Sequence, residues 1–325
     1  MPSTFPLQLE MRIIYNSIGL REWLWKPLFG PTRGKQMHYE GTLFRPPSEA
    51  QSMLIQVTTG CSYNKCTYCA MYMGTEFRLK PMEEIKSDIK EGAGYRFKRV
   101  FLCDGDALAA PTAFLEEILD EIREGMPFVE RVGVYGEARS ILKKGPDALK
   151  RLKEKGLGIV YHGVESGDDE TLKAVKKGAT AAQTVKAAQM VKNAGLLYSC
   201  IVMLGLGGKT RHLQHAQKTA ELLNAIQPDY IGVLTTMLVE GTPLFDQARR
   251  GEFELPSRLG MLEELKIILE TLQLKRGLLT SRHSSNYLPM RVVFPYQQGE
   301  ALKMLREVLE KKDETILKPD FLRQL

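Results

Sequence analysis

The sequence contains no uncharged apolar stretch of about 18 residues or more, and its first residues lack the apolar core and cleavage site of a secretory signal. It also lacks blocks of like charge, because 45 Lys and Arg residues are interleaved with 39 Asp and Glu residues, giving a net charge of +6. These absences argue against a membrane-spanning or exported protein and against generic nucleic-acid binding. We therefore predict a soluble cytoplasmic protein without a recognisable nucleic-acid-binding domain.

Cysteine is scarce and unevenly placed. The chain has five cysteines, an odd number that does not suit a disulfide framework. Cys61, Cys66 and Cys69 fall within nine residues, whereas Cys103 and Cys200 stand far from them and from each other. This distribution indicates metal ligands at the first three positions.

A regular alternation of strands and helices begins near residue 53. Short apolar runs end in Gly or polar turns, and the segments between them carry apolar residues at helical spacing. The predicted strands are 53–58, 98–103, 131–135, 158–163, 198–204 and 229–235, and the predicted helices are 82–91, 112–124, 146–155, 180–194 and 210–226. This pattern predicts parallel βαβ units in an open barrel or a doubly wound sheet, with ligands at the carboxyl ends of the strands.

The two ends of the chain depart from this alternation. Residues 1–45 combine aromatic and basic residues without a clean period, which favours a packed N-terminal extension and leaves peripheral membrane contact as the alternative. Residues 251–325 predict an α/β cap made of a helix, a polar loop, a strand near 290–294 and a second helix. The core is then residues 46–250.

Three close thiolates favour a cubane iron–sulfur cluster over zinc. A structural zinc ion needs a fourth ligand, and the nearest histidines, His38 and His162, do not have zinc-like spacing to the cysteines. Three protein ligands leave one iron open. An open iron can chelate the amino and carboxylate groups of S-adenosylmethionine (SAM) and pass an electron to its sulfonium.

The run Cys61-Ser-Tyr-Asn-Lys-Cys66-Thr-Tyr-Cys69 resembles the cluster motif of the radical SAM superfamily, in the branch of methylthiotransferases, elongator-type enzymes and oxygen-independent coproporphyrinogen oxidase. The resemblance covers roughly residues 50–250. The chain has four residues between its first two cysteines, where the commonest family spacing is three. The resemblance implies a partial (β/α)6 TIM-like barrel with the N-terminal extension and the C-terminal α/β cap as appendages.

The same resemblance implies which residues bind SAM. Asp104-Gly105-Asp106 takes the place of the Gly-Gly-Glu turn that holds the methionine amino group, with Asp106 as the acid. Glu165-Ser166 belongs to a Gly-x-Glu-Ser-Gly run, Gly205 and Gly207 belong to the turn near adenine, and Tyr68 matches the aromatic beside the last cysteine. Glu137 and Arg139 end the third strand and are predicted to bind ribose and the methionine carboxylate, or else to form a surface ion pair.

Three residues are candidates for chemistry on the substrate. His283 and Tyr287 lie in the polar loop of the cap, where they could transfer a proton or position the substrate, although an ordinary capping loop explains them as well. Cys103 directly precedes the Asp-Gly-Asp turn and could relay a radical, but a small buried hydrophobe is the simpler interpretation.

These observations predict an oxygen-sensitive radical SAM enzyme. A [4Fe–4S] cluster would reduce SAM to methionine and a 5′-deoxyadenosyl radical, which would abstract a hydrogen atom from an unidentified, small or hydrophobic substrate. The expected partner is a reductant such as ferredoxin or flavodoxin. Two alternatives stay open: an iron–sulfur binding or electron-transfer protein that never cleaves SAM, and a structural zinc protein.

Overall fold

The structure is a computed structural model that describes residues 37–312 and 314–324, so most of the predicted N-terminal extension lies outside the described residues. Its strands are β1 (Met53–Gln56), β2 (Thr58–Thr59), β3 (Arg78–Leu79), β4 (Arg99–Cys103), β5 (Arg131–Tyr135), β6 (Leu157–Glu165), β7 (Leu197–Leu204), β8 (Tyr230–Thr235), β9 (Gly277–Thr280) and β10 (Arg291–Phe294). Its helices are α1 (Met82–Gly92), α2 (Thr112–Gly125), α3 (Ala138–Glu154), α4 (Asp169–Ala174), α5 (Ala181–Asn193), α6 (Gly208–Ile226), α7 (Pro243–Arg249), α8 (Arg258–Thr271) and α9 (Gln298–Lys311). None of these helices has the length and apolar content needed to cross a bilayer.

Eight strands form one sheet in the order β1-β4-β5-β6-β7-β8-β9-β10. Every neighbouring pair from β1 to β9 is parallel, and β10 runs antiparallel to β9. Within the described residues β1 and β10 are the two edges, so the barrel is open between them. The predicted α/β class and partial TIM-like barrel are confirmed, and all six predicted parallel strands are present.

The sheet contains one parallel strand that the sequence does not predict. β9 pairs with β8 from Tyr230 and Leu278 to Gly232 and Thr280. Four residues beginning with a glycine are too few for a clear strand pattern, and tertiary pairing with β8 decides their conformation. The sheet thus continues past residue 250 into the predicted cap, and the boundary between core and cap stays a prediction.

Helix α3 begins eight residues before the predicted start at residue 146. Its backbone is interrupted at Gly145, which has a φ of +77°, and Pro146 follows the interruption. A proline is tolerated where a helical segment restarts, because its missing N–H has no acceptor there in any case. Because Gly145 and Pro146 interrupt the sequence pattern, the sequence does not predict the first half of the helix. This first half brings Arg139 and Ser140 to the site.

Apolar side chains cover both faces of the central strands, as a parallel sheet covered on both faces requires. The larger cluster packs the outer face of the sheet against the helices and includes Val100 and Val160. A smaller cluster fills the inside of the barrel with Phe101, Ile159 and Tyr161. Alternate residues of one strand thus face opposite layers, and the polar residues of the site emerge where the strands end.

Candidate cofactor site

The three predicted metal ligands lie in one loop after β2, residues 60–76, which we call the cysteine loop. Cys61, Cys66 and Cys69 are partly exposed, and none of them is in a disulfide. Burial raises the pKa of all three thiols, that of Cys66 to about 11. A bound metal reverses this effect, because a coordinating thiol is deprotonated by the metal. No group of three or more His, Cys, Asp or Glu side chains among the described residues is arranged around a single ion.

The cysteine loop is held by hydrogen bonds from other parts of the chain. The amide of Thr67 donates to Val175 O at 3.0 Å, and Thr67 O accepts from the amide of Leu244 at 2.9 Å. Within the loop, Asn64 Nδ2 donates to Tyr72 O at 2.7 Å. The middle of the loop is therefore clamped between the segment that follows α4 and the start of α7.

An ion pair that follows β5, Glu137 with Arg139, lies directly beside the first cysteine. Cys61 Sγ is 3.9 Å from Glu137 Oε1, and Arg139 Nη2 donates to Glu137 Oε2 at 2.5 Å. The Arg139 guanidinium stacks 3.8 Å from the centre of the Tyr63 ring, and its Nε is buried without a partner in the described chain. The pair lies beside the first cysteine and leaves the Arg139 Nε–H as a buried donor for a ligand.

A second ion pair, Glu165 with Lys177, lies at the end of β6. Glu165 is 7% exposed and has a φ of +68°, a strained conformation for a residue with a side chain. Its Oε1 is 3.4 Å from Lys177 Nζ, and its Oε2 is buried without a partner in the described chain. Strain and an unsatisfied carboxylate oxygen at one residue are features of a ligand-binding position.

Charges from the cysteine loop and the two pairs act on one another. Burial lowers the pKa of Lys177, but Glu165, Cys66 and Glu137 more than offset this, so the pKa of Lys177 is raised. Burial, followed by the Glu165 carboxylate, raises the pKa of Tyr68 well above its usual value. Lys177 thus stays charged, and these side chains share one electrostatic environment.

The Asp-Gly-Asp turn joins the cysteine loop to α3. Asp106 is fully buried; its Oδ1 accepts from the amide of Glu137 at 3.1 Å, and its Oδ2 accepts from the hydroxyls of Ser62 and Ser140. Asp104 accepts from Gln56, whereas its Oδ1 is buried without a partner among the described residues. Burial raises the pKa of both carboxyls to about 6. Asp106 thus holds Ser62, Ser140 and the start of α3 in place, and the role of the turn in binding the methionine amino group stays a prediction.

The hydroxyl of Ser166 is committed to protein partners. It lies 2.7 Å from His215 Nδ1 and accepts from the amide of Asp168 at 2.9 Å. Asp168 in turn caps α4 and binds Arg211 through two hydrogen bonds of 3.0 and 2.9 Å. Ser166 therefore anchors the turn that follows Glu165.

The glycine turn after β7 needs residues without side chains. Gly205 has a φ of +80°, and a Cβ there would lie 2.4 Å from the methyl carbon of Met261. A Cβ on Gly207 would lie 2.8 Å from His215 Cβ. The amide of Gly205 donates to Glu264 Oε2 at 2.7 Å. Helix α8 thus packs against the turn and fixes it through one buried carboxyl.

Glu264 makes the stability of this turn depend on pH. Burial raises its pKa from 4.5 to about 8, so between these values the folded chain keeps a proton that the unfolded chain has lost. The stabilisation is fully present below about pH 4.5 and is lost as the pH rises towards 8. We expect Glu264→Gln, which still accepts the Gly205 N–H but cannot ionise, to raise the melting temperature by about 5 °C at pH 8 and by much less at pH 5.

The measurement is thermal unfolding of the wild type, Glu264→Gln and Glu263→Gln across this pH range. Glu263 lies on the same helix and is only half-buried, so its amide variant is the matched control. Parallel curves for all three proteins would contradict a buried, neutral Glu264.

The structure places the three candidate catalytic residues in different surroundings. His283 is partly buried, and its Nδ1 lies 2.9 Å from Ser285 Oγ. The hydroxyl of Tyr287 donates to Asp320 Oδ1 at 2.8 Å, and the Arg323 guanidinium lies 4.1 Å from its ring centre. Cys103 is fully buried in the cluster inside the barrel. Their roles in chemistry stay predictions.

Two residues of the site are missing from the sequence-based prediction. Lys177 belongs to a Lys-Gly pair that follows the Glu165 motif, and this proximity in sequence was a usable signal. Glu264 lies on the mixed surface of a helix and gave no signal, because its burial depends on where α8 packs. Both are charged side chains held inside the protein.

Comparison with known proteins identifies the family. The model of the radical SAM superfamily matches residues 55–223, just over half of the chain, and the chain belongs to this superfamily. A tRNA uridine(34) acetyltransferase of Methanocaldococcus infernus is 30% identical over 107 residues, 33% of this chain and 20% of that protein. A bacteriochlorophyllide d C-8(2)-methyltransferase of Chlorobaculum tepidum is 28% identical over 138 residues, 39% of this chain and 29% of that protein.

The chain spans about a fifth of the length of the first curated relatives it matches. Among solved structures, the Elp3 protein of Methanocaldococcus infernus aligns with a TM-score of 0.49 and 17% identity over 81% of this chain and 63% of that chain. Superfamily membership confirms the predicted class, a radical SAM enzyme, with a [4Fe–4S] cluster and SAM as cofactors. Enzymes of this class need a reductant and a substrate. Nothing in the comparisons favours a cluster protein that never cleaves SAM.

The residues present fit these cofactors. Three thiols suit a cluster with one open iron. Around them, the unpartnered oxygen of Glu165 and the unpartnered Nε of Arg139 offer an acceptor and a donor to a polar, zwitterionic ligand.

Proposed function

We propose that this protein reductively cleaves SAM and uses the product radical to remove a hydrogen atom from a small or hydrophobic substrate. The observation that carries the proposal is that the cysteine loop lies beside two ion pairs at the carboxyl ends of β5 and β6, the partly exposed Glu137–Arg139 pair and the buried Glu165–Lys177 pair. When bound, the cluster supplies the electron that splits SAM into methionine and a 5′-deoxyadenosyl radical. The residues of the chain bind and orient the reactants.

Different residues of the site bind the cluster and the methionine part of SAM. Cys61, Cys66 and Cys69 hold the cluster. Arg139 and Lys177 are the cations available for the methionine carboxylate, and the Asp104-Gly105-Asp106 turn is the acidic element for the amino group.

A second group of residues binds the nucleoside part of SAM. Glu137 and Glu165 supply acceptors for the ribose hydroxyls, and Tyr68 with the turn at Gly205 and Gly207 supplies the surface for adenine. This assignment gives a ligand to both unpartnered buried atoms of the two pairs, Arg139 Nε and Glu165 Oε2, and it uses the positive charge that the raised pKa of Lys177 preserves.

The apolar side chains inside the barrel favour an apolar substrate. The rings of Phe101, Tyr135 and Tyr161 pack edge to face there, with centre-to-centre distances between 4.9 and 6.3 Å. On the opposite wall, Ile201 of β7 and Leu234 of β8 lie on the inward face by strand register and are only partly buried. Apolar walls also keep water and other hydrogen donors from the radical.

The reductant is proposed to be a small electron-carrier protein such as ferredoxin or flavodoxin. The oxygen sensitivity of an open iron favours the reducing cytoplasm as the place where the protein works.

The test of the proposed function is formation of 5′-deoxyadenosine. The protein is reconstituted anaerobically with iron and sulfide, reduced with dithionite and incubated with SAM, and the products are separated by chromatography. We expect 5′-deoxyadenosine and methionine in equal amounts, at a rate that rises when a substrate-containing extract is added. A correctly assembled cluster protein that forms no 5′-deoxyadenosine, even with extract, would overturn the proposal.

A further inference from the structure

A cavity of about 370 Å³ opens on the protein surface beside the cysteine loop. Tyr63 and Lys65 of the loop form one wall, and Lys173 and Lys176 stand on the other, near the end of α4. All three lysines are exposed. Among the described residues, Asp169 is the only acid that lines the cavity, so these walls carry an excess of two positive charges.

Exposed lysines of this protein fall into two groups. Some, such as Lys86 and Lys218, lie within 3 Å of a carboxylate, whereas others, such as Lys150 and Lys303, have no ion-pair partner among the described residues. The three lysines of the cavity belong to the second group, and they are set apart because they line one concave surface. No carboxylate among the described residues lies within salt-bridge distance of the lysines of the cavity, and Asp169 Oδ1 instead accepts from the amide of Ala181 at 2.7 Å. Unneutralised charge around a concave surface attracts an acidic partner and steers its approach.

The cavity is separated from the metal ligands by very little protein. Lys65 directly precedes Cys66, and Tyr63 lies between Cys61 and Cys66 in sequence. The Tyr63 ring packs so closely on Gly178 that a Cβ there would lie 2.5 Å from it, and the Arg139 guanidinium also packs against this ring. A partner seated in the cavity would therefore touch the cysteine loop itself.

We infer that this cavity is the docking site of an acidic electron-carrier protein that reduces the cluster. The inference rests on the proposed function and adds the place where the electron enters. In the encounter, the reduced carrier loses one electron and the oxidised cluster gains it, with no atom transferred. Lys65, Lys173 and Lys176 hold carboxylates of the carrier, and the carrier's redox group faces Tyr63.

The test compares two reductants and measures binding directly. The triple variant Lys65→Glu, Lys173→Glu, Lys176→Glu is reconstituted and compared with the wild type and with a control variant, Lys150→Glu, Lys153→Glu, Lys303→Glu, whose lysines are exposed on α3 and α9. The carrier is a purified flavodoxin, kept reduced by its NADPH-dependent reductase. Dithionite is the small reductant that needs no docking.

We expect the Kd of the reconstituted triple variant for oxidised flavodoxin to rise about tenfold or more at low salt, with the difference shrinking at about 1 M salt. Flavodoxin-driven 5′-deoxyadenosine formation should fall by a similar factor, whereas the dithionite-driven rate stays within about twofold of wild type and the control variant binds normally.

Unchanged flavodoxin affinity in the triple variant would overturn the docking site, whatever its activity. Equal losses with dithionite and flavodoxin would also overturn it and would assign the lysines to SAM or to an anionic substrate such as RNA. Failure of the wild type to form 5′-deoxyadenosine with dithionite would count against the proposed function alone, because the binding measurement does not depend on SAM cleavage.

Discussion

Replacing Cys66 by alanine is expected to abolish both the brown charge-transfer absorption of the reconstituted protein and the formation of 5′-deoxyadenosine. With two thiolates left, the loop can no longer hold a cluster through three irons, and no other Cys lies in the loop to take its place. The same loss is expected for Cys61→Ala and Cys69→Ala. Visible absorption and product chromatography measure these two consequences, and iron content measures the loss of the cluster itself.

Cys200→Ala is the matched control for these variants. Cys200 is fully buried in the apolar cluster on the helix side of the sheet, so its removal should leave iron content and activity close to wild type. Cys103→Ala separates the two interpretations of Cys103, since a radical relay predicts loss of substrate turnover with an intact cluster. A Cys66→Ala protein that kept full iron content and colour would contradict the ligand assignment.

Replacing Lys177 by methionine is expected to weaken SAM binding by about ten- to a hundredfold while leaving the cluster intact. The methionine keeps the apolar stem but removes the charge, and a hydrogen bond to a charged group contributes about 1.5–3 kcal/mol. It also leaves Glu165 without its cation partner in a buried site. Equilibrium binding of SAM to the reconstituted protein, with iron content measured on the same sample, tests the expectation.

Two further variants sharpen this test. Lys177→Arg retains the charge and should recover part of the affinity, whereas Lys186→Met removes an exposed lysine of α5 and should bind SAM like the wild type. Glu165→Gln should also weaken binding, and combining it with Lys177→Met should cost less than the sum of the two losses, because the residues are in contact. Wild-type affinity in Lys177→Met would remove this residue from the proposed SAM site.

The sequence predicts the alternating core of the fold well, because its strands are continuous apolar runs and its helices are amphipathic. β4, β5 and α5 begin and end within one or two residues of their predicted positions. The prediction fails where tertiary contacts decide the outcome. Four residues of β9 become a strand because β8 pairs with them, and α3 starts early because a kink at Gly145 joins two helical segments.

The site shows the same division. Short motifs in sequence reveal the cysteines, Glu165 and the glycine turn, since each motif is local. The sequence does not predict that the Asp106 carboxylate accepts hydrogen bonds from Ser62, Ser140 and the amide of Glu137, because those partners come from separate elements. For the same reason it missed the carboxyl of α8 that holds the turn at Gly205.

The clamped cysteine loop has a consequence for how the holoenzyme is assembled. Thr67 ties the loop to residues 175 and 244, and Ser62 ties it to Asp106, all through hydrogen bonds between protein atoms. A zinc finger, by contrast, gains its fold only when the metal arrives. This architecture favours an order of maturation in which the polypeptide folds first and then accepts iron and sulfide at a ready scaffold. Chelators should accordingly strip the colour from the protein without unfolding it.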